Sequence, residues 1–88
     1  MASTYTIYLE AEAAQYLFGL RRPEREPVRR FLDFLADYPH TDGETTERDS
    51  IGRTVQVKLL RRIKVVYWAD HADKAVKILR MERLVPFN

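Results

Sequence analysis

Four stretches of the chain have the apolar pattern of β-strands. Polar and apolar side chains alternate over residues 4–10 and again over residues 53–60, which is the period-two pattern of a half-buried strand. Residues 63–69 are β-branched or aromatic on both sides, as is typical of the central strand of a sheet. Residues 75–81 form the last predicted strand, after the turn-forming residues 70–73.

Two helices are predicted between the first and second of these strands. Residues 10–20 are rich in helix-favouring alanine and leucine, and Arg22-Pro23 ends this helix because the residue before a proline avoids the helical conformation. A second helix is predicted to begin near residues 23–27 and to end at Tyr38-Pro39. Its apolar residues have the spacing of one helix face: Val28, Phe31, Leu32 and Leu35.

The resulting order, β-α-α-β-β-β, predicts an α+β fold in which a helical hairpin packs on one face of a four-stranded, mostly antiparallel sheet. Residues 39–50 contain many turn formers and no large apolar side chain, so they are predicted to form a loop. The Gly52-Arg53 step is expected to begin the next strand, with Arg53 paired to an acid of that loop.

The face on which each strand residue lies decides what chemistry the sheet can offer. We expect one alternating set beneath the helices: Val55, Val57, Leu59, Ile63, Val65 and Tyr67. The opposite, open face would then carry Gln56, Lys58, Lys64, Val66 and Trp68. The open face would therefore carry basic side chains around the aromatic ring of Trp68.

The composition allows one small domain, spanning residues 1–88, with one modest core. The absence of cysteine excludes thiol chemistry and cysteine-ligated zinc, and the two histidines, His40 and His71, are too far apart for a local metal motif. We therefore expect neither a metal nor another cofactor. Because the sequence has no long apolar segment and no charged leader before an apolar stretch, a cytoplasmic protein that does not bind membranes is expected.

Charge is distributed unevenly along the chain. Residues 1–50 hold six Lys or Arg and ten Asp or Glu, whereas residues 51–88 hold nine and three. The basic second half predicts binding to a polyanion or to an acidic protein. The alternative is a self-complementary protein whose acidic helices face its own basic strands.

Several of these features together resemble the RelE/ParE superfamily of bacterial type II toxin–antitoxin toxins. They are the short first strand, the helical hairpin ending in Tyr38-Pro39, the Asp-x-x-Gly-Arg sequence at residues 49–53, the Val-Val-Tyr sequence at residues 65–67 and the closing Val-x-Ile-x-x-x-x-Arg sequence at residues 76–83. The resemblance covers about residues 4–84. It implies a toxin that is neutralised by a cognate antitoxin protein, and that is a monomer or weak dimer without it.

The superfamily includes proteins with different targets. RelE-like members cut messenger RNA on the ribosome without a metal, and the resemblance implies first of all such an endoribonuclease, which inhibits translation. RelE-like nucleases continue past the last strand into a helical or tyrosine-bearing tail, whereas this sequence ends at residues 84–88. A ParE-like inhibitor of DNA gyrase, which needs no catalytic residues, is the alternative. A non-catalytic member that acts only as a protein-binding module is a third hypothesis.

The resemblance also implies a site. RelE-like nucleases carry spaced basic residues on the strands that here hold Gln56, Lys58 and Lys64, and after the last strand, where Arg80 and Arg83 are nearest. Cleavage through the RNA 2′-hydroxyl needs a base, positive charge beside the phosphate and an acid, and crowding by neighbouring cations can lower the pKa of a lysine enough to make it the base. The expected catalytic residues are Lys58, Lys64 and Arg83, and the expected RNA-binding residues are Arg53, Gln56, Arg61, Arg62, Arg80 and Trp68. These charges can instead be exposed strand residues that prevent edge pairing.

Three further features have two interpretations each. Trp68 either stacks on an RNA base or belongs to the core or a partner-binding surface. His40 and His71 are either an acid and a base or solvated side chains. The acidic residues of segment 42–49 either recruit Mg²⁺ or form a solvated loop, and their irregular spacing favours the loop.

Overall fold

The computed structural model describes residues 4–84 and contains two helices and five strands. The helices are α1 (Ala11–Gly19) and α2 (Arg22–Asp37), and the strands are β1 (Thr6–Leu9), β2 (Thr45–Arg48), β3 (Thr54–Leu60), β4 (Ile63–Asp70) and β5 (Ala75–Arg83). The sheet order is β1-β5-β4-β3-β2, with β1 parallel to β5 and every other pair antiparallel. The α+β prediction is confirmed, but the sheet has five strands rather than four.

The additional strand, β2, lies in the segment that the sequence predicts to be a loop. It pairs with β3 at the edge of the sheet, with Thr45 opposite Val57 and Arg48 opposite Thr54. Its residues carry no large apolar side chain, so no hydrophobic pattern marks the strand. Backbone hydrogen bonds to β3, and the ion pairs of Glu47 with Lys64 of β4 and Arg80 of β5, hold it in place instead.

Two helices form where the sequence predicts them, but the prediction that Arg22-Pro23 ends the first helix is wrong, because α1 already ends at Gly19, Arg22 is the first residue of α2, and Pro27 lies inside α2. Helix α1 ends at Gly19, and the next helix starts with Pro23 in its first turn, where the missing N–H costs nothing. The buried face of α2 is the predicted stripe of Val28, Phe31, Leu32 and Leu35. That stripe packs with α1 against the sheet in a core that includes Ile63, Val65, Tyr67, Val76, Ile78 and Met81.

The register between β3 and β4 places a second, smaller core on the other side of the sheet. Val57 lies opposite Val66, and these two form a buried cluster with Val55 on the open face. The prediction that Val55, Val57 and Leu59 lie beneath the helices is therefore wrong. Residues directly opposite in an antiparallel pair point to the same side, and the pairing of Leu60 with Ile63 across a tight turn fixes which sides these are.

The two helices of residues 4–84 are not long and apolar enough to cross a membrane. Of residues 84–88, at which the sequence ends, only Leu84 lies in the part of the chain that the structure describes.

Candidate functional site

The open face is the side of the sheet that no helix covers. Val55, Val57 and Val66 form its buried floor. Around this floor lie four of the predicted site residues: Arg53, Lys64, Trp68 and Arg80. Lys77, opposite Trp68, adds a fourth cation, so the open face is a buried apolar floor with an aromatic ring and four cations around it.

At one end of the open face, Arg53 lies over Trp68. The guanidinium carbon of Arg53 is 3.8 Å from the ring centroid, a close cation–π contact. Asp49 holds the arginine in place, because its Oδ2 accepts a hydrogen bond of 2.8 Å from Arg53 Nε, and its Oδ1 accepts one from the Arg53 backbone N–H. Lost hydration would raise the pKa of Asp49, but the hydrogen bonds from Arg53 outweigh this effect and lower it. The predicted pairing of Arg53 with an acid of segment 39–50 is confirmed.

Elsewhere on the open face, a carboxylate lies between two cations. Glu47 of β2 accepts a hydrogen bond of 2.7 Å from Arg80 Nη2 through Oε1 and pairs with Lys64 Nζ through Oε2. Glu82 lies next to the same cations, with its Oε1 3.4 Å from Lys64 Nζ and 3.7 Å from Arg80 Nε. The hydrogen bond to Glu47 is the main reason why the pKa of Lys64 is raised, so the lysine remains protonated at neutral pH. Crowding by cations does not lower this pKa.

Lys58 and Gln56 lie on the opposite side of the sheet from Lys64. Lys58 is opposite Val65 and Gln56 is opposite Tyr67, and both of those partners belong to the core beneath the helices. Accordingly, Lys58 Nζ is 5.6 Å from the ring centroid of Phe31 in α2. The prediction that Lys58 and Lys64 share a face is wrong, because Lys64 is opposite Leu59, in the other alternating set.

Both residues of this helix-side pair contact the segment before β2. Lys58 Nζ lies 2.9 Å from Glu44 Oε1, and its hydrogen bond is the main reason why the pKa of Glu44 is lowered. Gln56 Oε1 accepts a hydrogen bond of 3.0 Å from the backbone N–H of Gly43. Neither side chain reaches the open face.

The remaining predicted residues, Arg61, Arg62 and Arg83, lie near the turn between β3 and β4. They line a pocket of about 200 Å³ together with Leu60, Ile63, Pro27 and Glu24. Arg83 Nη2 is 2.6 Å from Glu24 Oε2, an ion pair that raises the pKa of the arginine. The structure therefore divides the nine predicted site residues among the open face, the helix side of β3 and this turn.

Sequence reasoning missed the part played by the acids of segment 42–49. Glu44 pairs with Lys58, Glu47 pairs with Lys64 and Arg80, and Asp49 pairs with Arg53. The solvated-loop interpretation is therefore wrong for Glu44, Glu47 and Asp49, and it holds for Asp42, which is exposed and forms no ion pair within the described residues. The sequence does contain a signal for these ion pairs, because an acidic segment directly precedes the basic strands. Of these pairings, only that of Arg53 is predicted from the sequence.

The two histidines lie close together in the structure. Their rings stack with centroids 4.5 Å apart, and Tyr5 Oη is 2.8 Å from His71 Nδ1. They line a polar pocket of about 250 Å³ with Tyr67, whose hydroxyl donates to the Thr41 carbonyl oxygen at 2.9 Å. Burial raises the pKa of Tyr67 to about 12. Within residues 4–84, no group of three or more His, Asp or Glu side chains is arranged to hold a metal ion.

No protein-family model and no curated protein sequence matches this chain, but solved structures do. The isolated RelE toxin of E. coli matches with a TM-score of 0.78 at 15% identity, over 96% of this chain and 88% of that chain. The RelE–RelB complex of Pyrococcus horikoshii matches with a TM-score of 0.74 at 19% identity, over 91% and 94%. The RelBE2 toxin–antitoxin complex of Mycobacterium tuberculosis matches with a TM-score of 0.73 at 20% identity, over 94% of each chain. The chain therefore has the fold of the RelE toxins, and the predicted resemblance is confirmed at the level of the fold.

Proposed function

We propose that this chain is the toxin of a type II toxin–antitoxin pair and that it cleaves messenger RNA on the ribosome. The observation that carries the proposal is the fold, which matches an isolated RelE toxin over almost the whole length of both chains. RelE chains of M. tuberculosis and P. horikoshii were solved in complex with RelB proteins. We extend to this chain the partnership with an antitoxin.

In this proposal the open face binds the RNA. Lys64 and Arg80 already hold one carboxylate between them, and a phosphate group presents the same kind of paired oxygens. Because Lys64 remains protonated, its role is to stabilise the negative charge that develops on the phosphate, and not to act as the base. Arg53 already lies over the Trp68 ring, so in this proposal a neighbouring base stacks on the outer plane of its guanidinium.

The helix-side residues have a more limited part in this proposal. Lys58 lies across the sheet from Lys64, so the two side chains do not contact the same phosphate. Arg83 is bound to Glu24 near the β3–β4 turn, where Arg61 and Arg62 add two exposed positive charges. Catalytic roles for Lys58 and Arg83 therefore stay predictions, which single alanine substitutions test in the assay described below.

Inhibition of DNA gyrase is the second candidate function, and one observation favours it. Lys64 is held by Glu47 and Glu82, and these contacts raise its pKa, which leaves this lysine unsuited to remove a proton from an RNA 2′-hydroxyl. A gyrase inhibitor needs only a binding surface. The open face, with Trp68 and the charged side chains of Arg53, Lys64 and Arg80 around its buried floor, offers one.

Inducible expression in a bacterial host distinguishes these functions. Growth, messenger RNA 5′ ends and chromosomal DNA integrity are followed for the wild type, for Lys64→Ala/Arg80→Ala and for Lys74→Ala, a control at an exposed turn residue. We expect growth arrest and new RNA ends with the wild type and with Lys74→Ala, and neither with the double variant.

Other outcomes lead to other conclusions. Growth arrest with broken chromosomal DNA and unchanged RNA ends identifies gyrase as the target. Normal growth, with wild-type protein that is soluble and unfolds cooperatively, rejects both toxin functions and leaves the protein-binding module. Co-purification with the product of a neighbouring gene for a small acidic protein tests the antitoxin partnership directly.

A further inference from the structure

The first half of α2 carries positive charge that the protein itself does not neutralise. Five of the ten residues from 21 to 30 are arginines: Arg21, Arg22, Arg25, Arg29 and Arg30. Over residues 4–84, none of these five guanidinium groups forms an ion pair, whereas Arg53, Arg80 and Arg83 each pair with a carboxylate. An excess of unpaired arginine on one helix indicates a surface that meets negative charge from outside.

Three of these arginines form one side of a groove between the two helices. Arg22, Arg25 and Arg29 have the i, i+3, i+7 spacing of one helix face, and they line a groove of about 440 Å³ with Phe18 and Leu17 of α1 and with Glu26. Phe18 is 70% exposed, the most exposed aromatic side chain of the described residues, whereas Leu17 is buried. We call Phe18, Arg22, Arg25 and Arg29 the arginine face.

We infer that the arginine face binds the sugar-phosphate backbone of RNA, with Phe18 stacking on an unpaired base. Guanidinium groups present paired donors that match phosphate oxygens, and arginine suits such contacts better than lysine. An exposed aromatic ring among arginines is the arrangement that holds splayed bases of single-stranded RNA. Glu26 adds one negative charge to the groove, which three arginines outnumber.

The arginine face suits RNA better than a protein partner. A stable protein interface buries about 1,200–2,000 Å² around an apolar core. The groove offers one exposed apolar ring, Phe18, because the other apolar residue that lines it, Leu17, is already packed inside the protein. Phosphate binding needs no such core, since its affinity comes from charge neutralisation and counterion release.

This surface is separate from the open face. The helices cover one side of the sheet, and Lys64, Arg80 and Trp68 belong to the other side. The inference relies on the proposed function for the choice of RNA as the polyanion. A protein that acts on messenger RNA within a ribosome is surrounded by RNA, so phosphates would meet its helical layer as well as its open face.

Binding of a labelled RNA tests the inference without using toxicity. The full-length protein is titrated into a fluorescein-labelled single-stranded RNA of about 20 nucleotides, between about 50 and about 200 mM KCl. Each phosphate contact to a single strand contributes about −0.7 to the slope of log K against log salt concentration. For Arg22→Gln/Arg25→Gln/Arg29→Gln we expect a slope smaller by about 2 and an affinity at least about tenfold weaker at the lowest salt.

Matched single substitutions separate this effect from a change in net charge. Arg29→Gln should reduce the slope by about 0.7, whereas Lys74→Gln, which removes the same charge from an exposed turn, should leave it unchanged. Phe18→Leu should weaken binding without changing the slope, because stacking releases no counterions. Phe18, Arg29 and Lys74 are exposed, so the three single variants are expected to fold, and a urea unfolding curve checks this.

Two outcomes overturn the inference. One is equal affinity and equal salt slope for the wild type and for Arg29→Gln. The other is unchanged RNA binding by the arginine variants together with loss of a co-purifying acidic protein, which would make the arginine face a protein interface. Failure of the proposed function would give a different result. The protein would still bind RNA through these arginines, but its expression would not arrest growth, so only the toxin role would be rejected.

Discussion

Glu47 and Arg80 join the edge strand β2 to the strand β5 across the open face, with the carboxylate Oε1 accepting a hydrogen bond of 2.7 Å from the guanidinium. Two strands, β3 and β4, lie between them in the sheet. The same carboxylate pairs with Lys64 through its other oxygen. An acid of the protein's own chain therefore occupies the position between the two cations to which we assign an RNA phosphate.

Glu47→Gln is expected to strengthen RNA binding to the open face. The substitution keeps the shape of the side chain and removes the negative charge that competes with a phosphate for Lys64 and Arg80. Exposed or half-exposed ion pairs contribute up to about 1 kcal/mol, so we expect about twofold to fivefold tighter binding at low salt. Fluorescence anisotropy with the labelled RNA measures the change.

Glu12→Gln is the control for this prediction, because it removes the same charge from an exposed helix position that pairs with no cation of the described chain. Equal gains from both variants would show that only net charge matters. No gain from Glu47→Gln would show that the phosphate does not bind between Lys64 and Arg80.

Gly43→Ala should destabilise the edge strand. A Cβ at this position would lie 2.1 Å from the backbone oxygen of Val57, so the segment before β2 must move away from β3. Such overpacking costs about 1–3 kcal/mol in the free energy of unfolding. Hydrogen–deuterium exchange should also show faster exchange at the amides of Thr45–Arg48.

The matched substitution is Gly19→Ala, at the last residue of α1. Nothing lies within 4 Å of a Cβ built at this glycine. Because alanine favours the helix by up to about 1 kcal/mol, stability should be unchanged or higher. If urea unfolding gave the same stability for both glycine variants, the close approach of Gly43 to Val57 would not be a constraint on the fold.

Arg53→Gln should loosen the contact at the end of the open face. The substitution removes the cation above Trp68 and the ion pair to Asp49, which together are expected to stabilise the fold by about 1 kcal/mol. Trp68 is the only tryptophan, so its fluorescence reports on this contact directly. We expect a change in the emission of the native state as well as a lower urea midpoint. Lys74→Gln should change neither, and an unaltered native spectrum in Arg53→Gln would contradict the stacked arrangement.

Tyr67 makes stability depend on pH in the alkaline range. Its pKa is about 12 in the folded protein against 10.0 in the unfolded chain, since burial disfavours the phenolate. The unfolded state therefore loses its proton first, and stability declines as pH rises from about 10 to about 12, by about 2–3 kcal/mol in total from this residue. Lys64 and Lys77, whose pKa values are also raised, lose their stabilising contribution in the same range.

Tyr67→Phe isolates the tyrosine from these lysines. We expect about 1 kcal/mol lower stability at pH 8, because the Thr41 carbonyl loses its hydrogen bond, but a flatter decline above pH 10. Tyr38→Phe, at a tyrosine that is 60% exposed, should leave the wild-type profile in place. Urea unfolding at pH 8, 10 and 11 measures all three proteins, and parallel profiles for wild type and Tyr67→Phe would refute the assignment.

The sequence by itself determined those elements in which the spacing of apolar residues fits only one type of secondary structure. The stripe of Val28, Phe31, Leu32 and Leu35 fits a helix and no strand, and residues 65–69 are apolar on both sides because β4 is the centre of the sheet. Element order and these patterns together were enough for the α+β fold and its resemblance to the RelE/ParE superfamily. From that resemblance and from residue type, Arg53, Lys64, Trp68 and Arg80 are predicted site residues, and the structure brings these four to one face.

Only the tertiary structure decided which side of β3 faces the helices and where its charges are neutralised. Alternation divides the residues of a strand into two sets, one for each side of the sheet, but it does not say which set faces the helices. The pairing of Leu60 with Ile63 fixes the register of β3, and this register places Lys58 and Lys64 on opposite sides of the sheet. The strand β2 could not be predicted from the sequence either, because backbone hydrogen bonds and ion pairs hold it in place and its residues have no apolar pattern. Such contacts join residues far apart in the chain, and no local spacing in the sequence records them.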